Sequence, residues 1–318
     1  MAVWIMRRLF FSLVCLLIAS VAWALVTKPW QPAKLWGVYQ INWGPERFET
    51  GLKAQIAQLD AVPDYVLFFR DLHPQRGFPT ATAAICKQVG ATPVISQEIW
   101  EWNQRESGDR SWLTRINAGA YDAYWKRWGE AAKAFDAEVV LRFGFEMNGD
   151  WFAWGQQPEA FIAAWRRVHR IVREEVGAMN VQFMFSPNVE WETEDTQIAI
   201  ELYYPGDDVV DLLGLDGYNF GDHHTQWHRW QTYETVYEKS IEKMSQWDKP
   251  LILAEIGCAD GPLKADWMRN FLNEVEADSR VSGFIYYNHF DPHKSEPNWL
   301  LDSDPETLKV FQKYVSSN

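Results

Sequence analysis

A single-domain (β/α)8 barrel, the TIM-barrel class, is the fold this sequence predicts, and three observations predict it. Eight apolar runs of strand length alternate with eight segments of helical character between Leu35 and the C-terminus. Parallel strands need a crossover that a helix supplies, so this alternation implies a parallel sheet. No Gly-x-Gly-x-x-Gly loop follows any of the runs, which argues against an open, doubly wound, dinucleotide-binding sheet. Two glutamates, Glu146 and Glu255, close the fourth and seventh runs, and in a closed barrel those strand ends meet around one mouth.

Each element has its local reason. Leu35 to Trp43 reads as the first strand, and Arg47 to Ala61 as an amphipathic helix with Leu52, Ile56 and Leu59 on one face. Tyr65 to Leu72 is the second strand, followed by a helix from Thr80 to Val89 that Gly90 stops. Thr92 to Trp100 is the third; after a polar loop from Asn103 to Ser111, a helix runs from Gly119 to Phe135. The fourth strand, through Glu138-Val139-Val140-Leu141, carries Glu146, and its helix starts at Pro158, where the first turn tolerates proline. That helix turns Phe161, Trp165, Val168, Ile171, Val172 and Val176 inward and its arginines to water. Val181 to Ser186, Asp211 to Tyr218, Leu251 to Ile256 and Val281 to Asn288 complete the strands. Their helices fall near Thr196 to Leu202, Tyr233 to Gln246, Lys264 to Val275 and Pro305 to Tyr314.

Residues 35–318 form the expected barrel domain, preceded by a linker over 27–34. In residues 1–26, Arg7 and Arg8 precede an uncharged run from Leu9 to Val26 that contains the small-x-small triplet Ala22-Trp23-Ala24. This pattern reads as a secretory signal if cleaved or a membrane anchor if retained, and either way the barrel is exported. The net charge of −13, with no basic run after residue 30, argues against nucleic acid. A neutral polymer or small molecule suits that balance better, and the 19 tryptophans point toward carbohydrate, since aromatic faces stack on sugar rings. A monomer is expected, with contact to a membrane only through the N-terminal segment.

Cys86 and Cys258, the two cysteines beyond the leader, do not make a disulfide scaffold. No cofactor or metal is expected. Asp222, His223, His224 and His228 cluster after the sixth strand, but their spacing matches no tight metal motif, and a polar cleft rim is the alternative.

An unpaired glutamate at the end of a buried strand costs several kcal/mol unless its carboxyl is paired or raised in pKa. Glu146 is therefore placed in a cleft, although Arg142, on the same face of the strand, is an available partner. Glu255 caps Leu251-Ile252-Leu253-Ala254 in the same way. Two facing carboxyls suit glycoside hydrolysis, in which one protonates the leaving oxygen while the other attacks the anomeric carbon or activates water.

The stretch Phe145-Glu146-Met147-Asn148-Gly149-Asp150-Trp151-Phe152-Ala153-Trp154 resembles the acid/base signature of glycoside hydrolase family 26. Lys249-Pro250 through Glu255-Ile256-Gly257 resembles its nucleophile strand. Ser186-Pro187-Asn188, Tyr204-Pro205-Gly206-Asp207-Asp208, Gly214-Leu215-Asp216-Gly217-Tyr218 and Trp299-Leu300-Leu301-Asp302 fall in the family's order. The resemblance implies a retaining endo-β-glycanase, with Glu146 as acid/base, Glu255 as nucleophile and Tyr218 bonded to that nucleophile. Trp151 matches the family's cleft tryptophan, and Trp154, Asn188, Tyr287 and Trp100 are further expected substrate contacts. For Glu98, Trp100 and Trp102, and for Glu190 and Trp191, structural roles stand open beside cleft-lining ones, and Asp216 is expected to be structural. Two departures stand out: Phe145 occupies the family's histidine position, and Tyr286-Tyr287-Asn288-His289 replaces an aromatic followed by arginine. The family contains mannanases, mixed-linkage β-glucanases and xylanases; Gly90 to Trp100 and the short loops look more like the glucanase branch. A noncatalytic glycan-binding or exopolysaccharide synthesis or export accessory protein is the rival reading.

Overall fold

The computed structural model describes residues 34–191, 197–223 and 229–317. Eight parallel strands close into a barrel in chain order: β1 (Leu35–Tyr39), β2 (Tyr65–Arg70), β3 (Thr92–Gln97), β4 (Val139–Phe143), β5 (Val181–Phe185), β6 (Leu212–Asn219), β7 (Leu251–Cys258) and β8 (Val281–Tyr286), which pairs with β1. Around them lie α1 (Pro45–Leu59), α2 (Thr80–Val89), α3 (Trp112–Asn117), α4 (Asp122–Phe135), α5 (Pro158–His169), α6 (Lys239–Met244), α7 (Lys264–Ala277) and α8 (Pro305–Val315). The predicted (β/α)8 barrel is the observed one, and Lys34–Asn318 make one compact unit. The leader and the linker as far as residue 33 lie outside the described residues, among which no helix is long and apolar enough to cross a membrane.

Boundaries follow local chemistry. Helix α2 stops where Gly90 takes φ 91 and its N–H reaches the carbonyls of Cys86 and Lys87, a geometry that glycine adopts without a Cβ penalty. Four segments differ from expectation. Helix α3 falls at the end of the predicted polar loop, where six residues are too few to show a period even though Trp112, Leu113 and Ile116 are buried. Helix α5 continues as a π-helical stretch, Arg170–Glu175, and α6 is preceded by another, Glu234–Glu238. Of the helix expected over Thr196 to Leu202, Thr196 lies outside the described residues, and the described part holds a 3-10 turn, Ile200–Tyr203.

The core has two parts. Between strands and helices lies an aromatic-rich layer that fully buries Trp112, Trp125, Trp128, Trp154 and Trp165, so a good share of the tryptophan is structural. Inside the barrel, Leu67, Val94, Val140, Met184, Ile252 and Ile285 form a small apolar floor. Above it sits a buried polar layer of Ser96, Arg142, Ser186, Asp216 and Glu255. Cys86 and Cys258 are buried free thiols.

Candidate active site

The barrel mouth opens into a cleft of about 1820 Å³ to which both Glu146 and Glu255 contribute. The backbone delivers them differently. Glu255 lies within β7, whose register explains its aim: Gly214 pairs with Ile252 and Asp216 with Glu255, so β7 carries one residue more than β6 over that span. The same extra residue shows against β8, where Leu253 pairs with Phe284 and Ile256 with Tyr286. Ile252 and Ala254 belong to the inner floor, while Leu253 and Ile256 belong to the outer core. Strict alternation would turn Glu255 outward. The bulge resets the period and sends it into the barrel, as bulges beside functional sites do.

Glu255 meets fixed donors there. Arg142 bridges it to Asp216, giving Nη1 to Glu255 Oε1 and Nη2 to Asp216 Oδ2. The guanidinium also donates to Ser186 Oγ at 2.9 Å and Ser96 Oγ at 2.8 Å. Tyr218 Oη donates to the other oxygen, Glu255 Oε2, at 2.7 Å. Burial works against the Arg142 charge, but Asp216 and Glu255 more than offset it and raise the pKa of the guanidinium. Burial and the Glu255 charge push the Tyr218 phenol well above its ordinary range, so it stays a donor.

Glu146 stands beyond the end of β4, on a turn where Gly144 takes φ 56 and Glu146 itself φ 52. A side chain at Gly144 would come within 2.5 Å of Ile99 Cδ1, so only glycine fits the turn. The Glu146 N–H donates to the carbonyl of Ser186 at 2.8 Å, holding the turn to β5. Its carboxyl accepts from neutral groups, Asn188 Nδ2 on Oε1 at 2.8 Å and Trp151 Nε1 on Oε2 at 2.7 Å. Burial first and the Glu255 charge second raise it from 4.5 to about 7, against the pull of Arg142, Asn188 and Trp151.

Arg142 is thus not the ion-pair partner of Glu146 that its place on the strand suggests. It lies in the buried layer inside the barrel, whereas Glu146 has left the strand on its turn. Phe145 lies across that layer, its ring centroid 4.3 Å from the guanidinium carbon of Arg142 and its other neighbours Phe69 and Phe152. Where a histidine would hydrogen-bond, this ring covers the arginine with an apolar, cation-attracting face.

Trp151, Tyr218, Asn188 and Tyr287 all line the cleft, Tyr287 stacking on Tyr39 at 4.5 Å. Two expected substrate contacts do not. Trp154 is fully buried, donates to the carbonyl of Phe145 at 2.8 Å and stacks on Phe152, so it supports the turn from behind. Trp100 packs edge-on against Phe152 and Trp154 and spends its N–H on Glu98 at 3.0 Å, outside the cleft lining. Trp102 and Trp191 do line the cleft, while Glu190 pairs with Lys243 at 2.7 Å and accepts from the N–H of Ile200. Asp216 is fully buried against Arg142 and does not line the cleft. Asp222 accepts from Trp230 Nε1 and His223 reaches the carbonyl of Ser295; His224 and His228 lie outside the described residues. Among the described residues no His, Cys, Asp and Glu group is arranged to hold a metal.

Sequence reasoning missed the Arg142–Asp216 pair. The signal was present: a lone charged residue in each of three apolar strands, with signs that nearly balance.

The family model for glycosyl hydrolase family 26 matches residues 96–290. Endoglucanase H of Acetivibrio thermocellus is 28% identical over 287 residues, covering 86% of this chain and 30% of that protein. Mannan endo-1,4-β-mannosidase A and B of Caldalkalibacillus mannanilyticus is 27% identical, over 52% of this chain and 31% of that protein. The chain thus spans about three tenths of the length of these curated relatives. Among solved structures, a β-mannanase from Bacteroides ovatus superposes with TM-score 0.63 at 21% identity, covering 90% of this chain and 89% of that one. An endo-β-1,4-mannanase double mutant from Cellulomonas fimi gives 0.67 at 17%, covering 89% and 71%; at such identities the likeness speaks for the barrel alone. The family match spans strands β4 to β8 and takes in both cleft glutamates, and with it the chain belongs to glycosyl hydrolase family 26.

Proposed function

We propose that the chain is a retaining endo-β-glycanase in which Glu255 is the nucleophile and Glu146 the general acid/base. The observation that carries this reading is the different surroundings of two carboxyls on one cleft: Glu255 held by a guanidinium and a phenol, Glu146 raised to about 7 among neutral donors. Arg142 gives Glu255 a permanent cation as its partner, and a carboxyl near 7 keeps a proton to give at neutral pH. Glu255 attacks the anomeric carbon as the bond to the leaving oxygen breaks, and Glu146 protonates that oxygen. Glu146, now ionised, takes a proton from water, whose oxygen displaces Glu255 from the sugar. Tyr218 fixes one oxygen of Glu255 so that the other is oriented by Arg142.

We infer a β-linked glucan of mixed linkage as the first substrate to test and β-mannan as the second. The similarity to an endoglucanase runs over 86% of the chain and that to a mannosidase over 52%, which supports this order. Export fits the N-terminal pattern of Arg7, Arg8 and the apolar run to Val26. The test is reducing-end release from lichenan, cellulose, mannan and xylan by wild type, Glu146→Ala and Glu255→Ala. Glu255→Ala is expected to lose activity on the order of 10⁴-fold and to regain turnover with azide, giving a glycosyl azide of inverted anomeric configuration. Activity unchanged in both variants overturns the residue roles; binding without cleavage by the wild type replaces the enzyme with the accessory reading.

A further inference from the structure

Of the cleft carboxyls that have no part in this mechanism, Glu98 is the one held by two indoles. Glu98 follows directly on β3, and its N–H donates to the carbonyl of Arg70 at 2.8 Å, so its backbone is held as an extension of the β2–β3 pairing. Its side chain reaches the cleft lining yet is desolvated enough to rise from 4.5 to about 7. Among the described residues no cation forms an ion pair with it; instead each oxygen accepts one indole N–H, Oε1 from Trp100 and Oε2 from Trp102. A carboxylate offers about four acceptor positions, so two are left for a ligand.

The support around Glu98 is rigid and locally balanced in charge. Asp71, itself buried, accepts from the backbone N–H of Trp102 at 3.2 Å and from Arg76 Nη1 at 2.8 Å, and the Arg76 guanidinium lies 5.2 Å from the centre of the Trp102 ring. Arg105 sits beside Glu106 at 3.6 Å. The cations nearby are thus matched, and what the pocket offers outward is an oriented acceptor next to aromatic surface from Trp102 and Phe152. Such a surface suits an uncharged ring with hydroxyl donors on its edge and an apolar face. A uronic acid would meet a like charge. Because β4 has β3 on one side and β5 on the other, the place lies to one side of Glu146, opposite Asn188, which follows β5.

We propose that Glu98, fixed by the two indoles, is a specificity-determining ligand for the hydroxyls of a neutral hexopyranose unit, in a subsite beside the cleavage point. This rests on the reading of the cleft as a glycan site, and the test separates the two. In Glu255→Ala protein, calorimetry with β-1,4-linked gluco- and manno-oligosaccharides of two to six units is expected to show affinity rising with length. Adding Glu98→Gln is expected to weaken the longest ligands about tenfold or more, the loss of a charged hydrogen-bond partner. Trp102→Phe, which keeps a ring but withdraws one donor, gives a smaller loss with the same ligands and carries the test if Glu98→Gln folds poorly. Equal affinity with and without these changes overturns the subsite, as does absence of oligosaccharide binding to the parent. Length-dependent binding that Glu98→Gln weakens, from a wild type that hydrolyses nothing, upholds the subsite and overturns the endoglycanase.

Discussion

Glu255 and Glu146 are the same residue type on the same cleft, and the contrast between their surroundings shows how a backbone chooses the partners of a carboxyl. Glu255 sits within a bulged strand, aimed inward by one extra residue, where it joins the polar layer of the barrel interior: Arg142, Asp216 and the two serines bonded to Arg142. Glu146 sits on a left-handed turn three residues past its strand, beyond the guanidinium, where only an amide and an indole reach it. Glu255 is thus ion-paired inside the barrel, while Glu146 is hydrogen-bonded by neutral groups on the turn.

Three substitutions break or sharpen that contrast, the largest first. Arg142→Met removes the cation shared by Glu255 and Asp216 and leaves two carboxyls in the buried layer; a loss of about 3–5 kcal/mol in folding stability is expected, read as a lowered urea midpoint at pH 7. An unchanged midpoint would mean that the arginine does not hold the layer together. Tyr218→Phe keeps the ring and deletes one hydrogen bond to a charged oxygen, so kcat/KM is expected to fall about 10- to 100-fold with the urea midpoint nearly unmoved. Glu146→Gln acts in the opposite sense on stability. The folded protein holds the Glu146 proton more tightly than the unfolded chain, so its contribution is full below about 4.5 and is lost as pH rises to about 7. The variant is therefore expected to be about 1–2 kcal/mol more stable than wild type at pH 8 and equal to it at pH 4, as seen in paired thermal melts. In the wild type the same group makes kcat/KM fall as pH rises through about 7; a profile flat to pH 9 would assign the acid elsewhere.

Much of this was legible in the sequence because burial on both faces writes itself as continuous apolar runs. All eight strands were placed that way, and the helix Thr80–Val89 was bounded to the residue by Gly90. The two glutamates were legible because a carboxyl ending such a run has no packing reason to be there. Direction was not legible. A tryptophan after a turn reads the same whether it faces the cleft, as Trp151 does, or backs the turn, as Trp154 does. The aim of Glu255 depends on a bulge visible only against the registers of β6 and β8. The partners of Arg142 come from strands separated from it by 74 and 113 residues, a distance across which no local pattern operates.

The left-handed backbone of Glu146 has a consequence for descent. A non-glycine residue at φ 52 costs the fold on the order of 1 kcal/mol, and its buried carboxyl adds a second cost above pH 4.5. Glycine or asparagine would relieve the first, and either would abolish the second. A lineage of this gene released from its activity is thus expected to lose the glutamate at this position early, through selection for folding alone. The residue found there in related genes becomes a diagnostic that sorts working copies from relics.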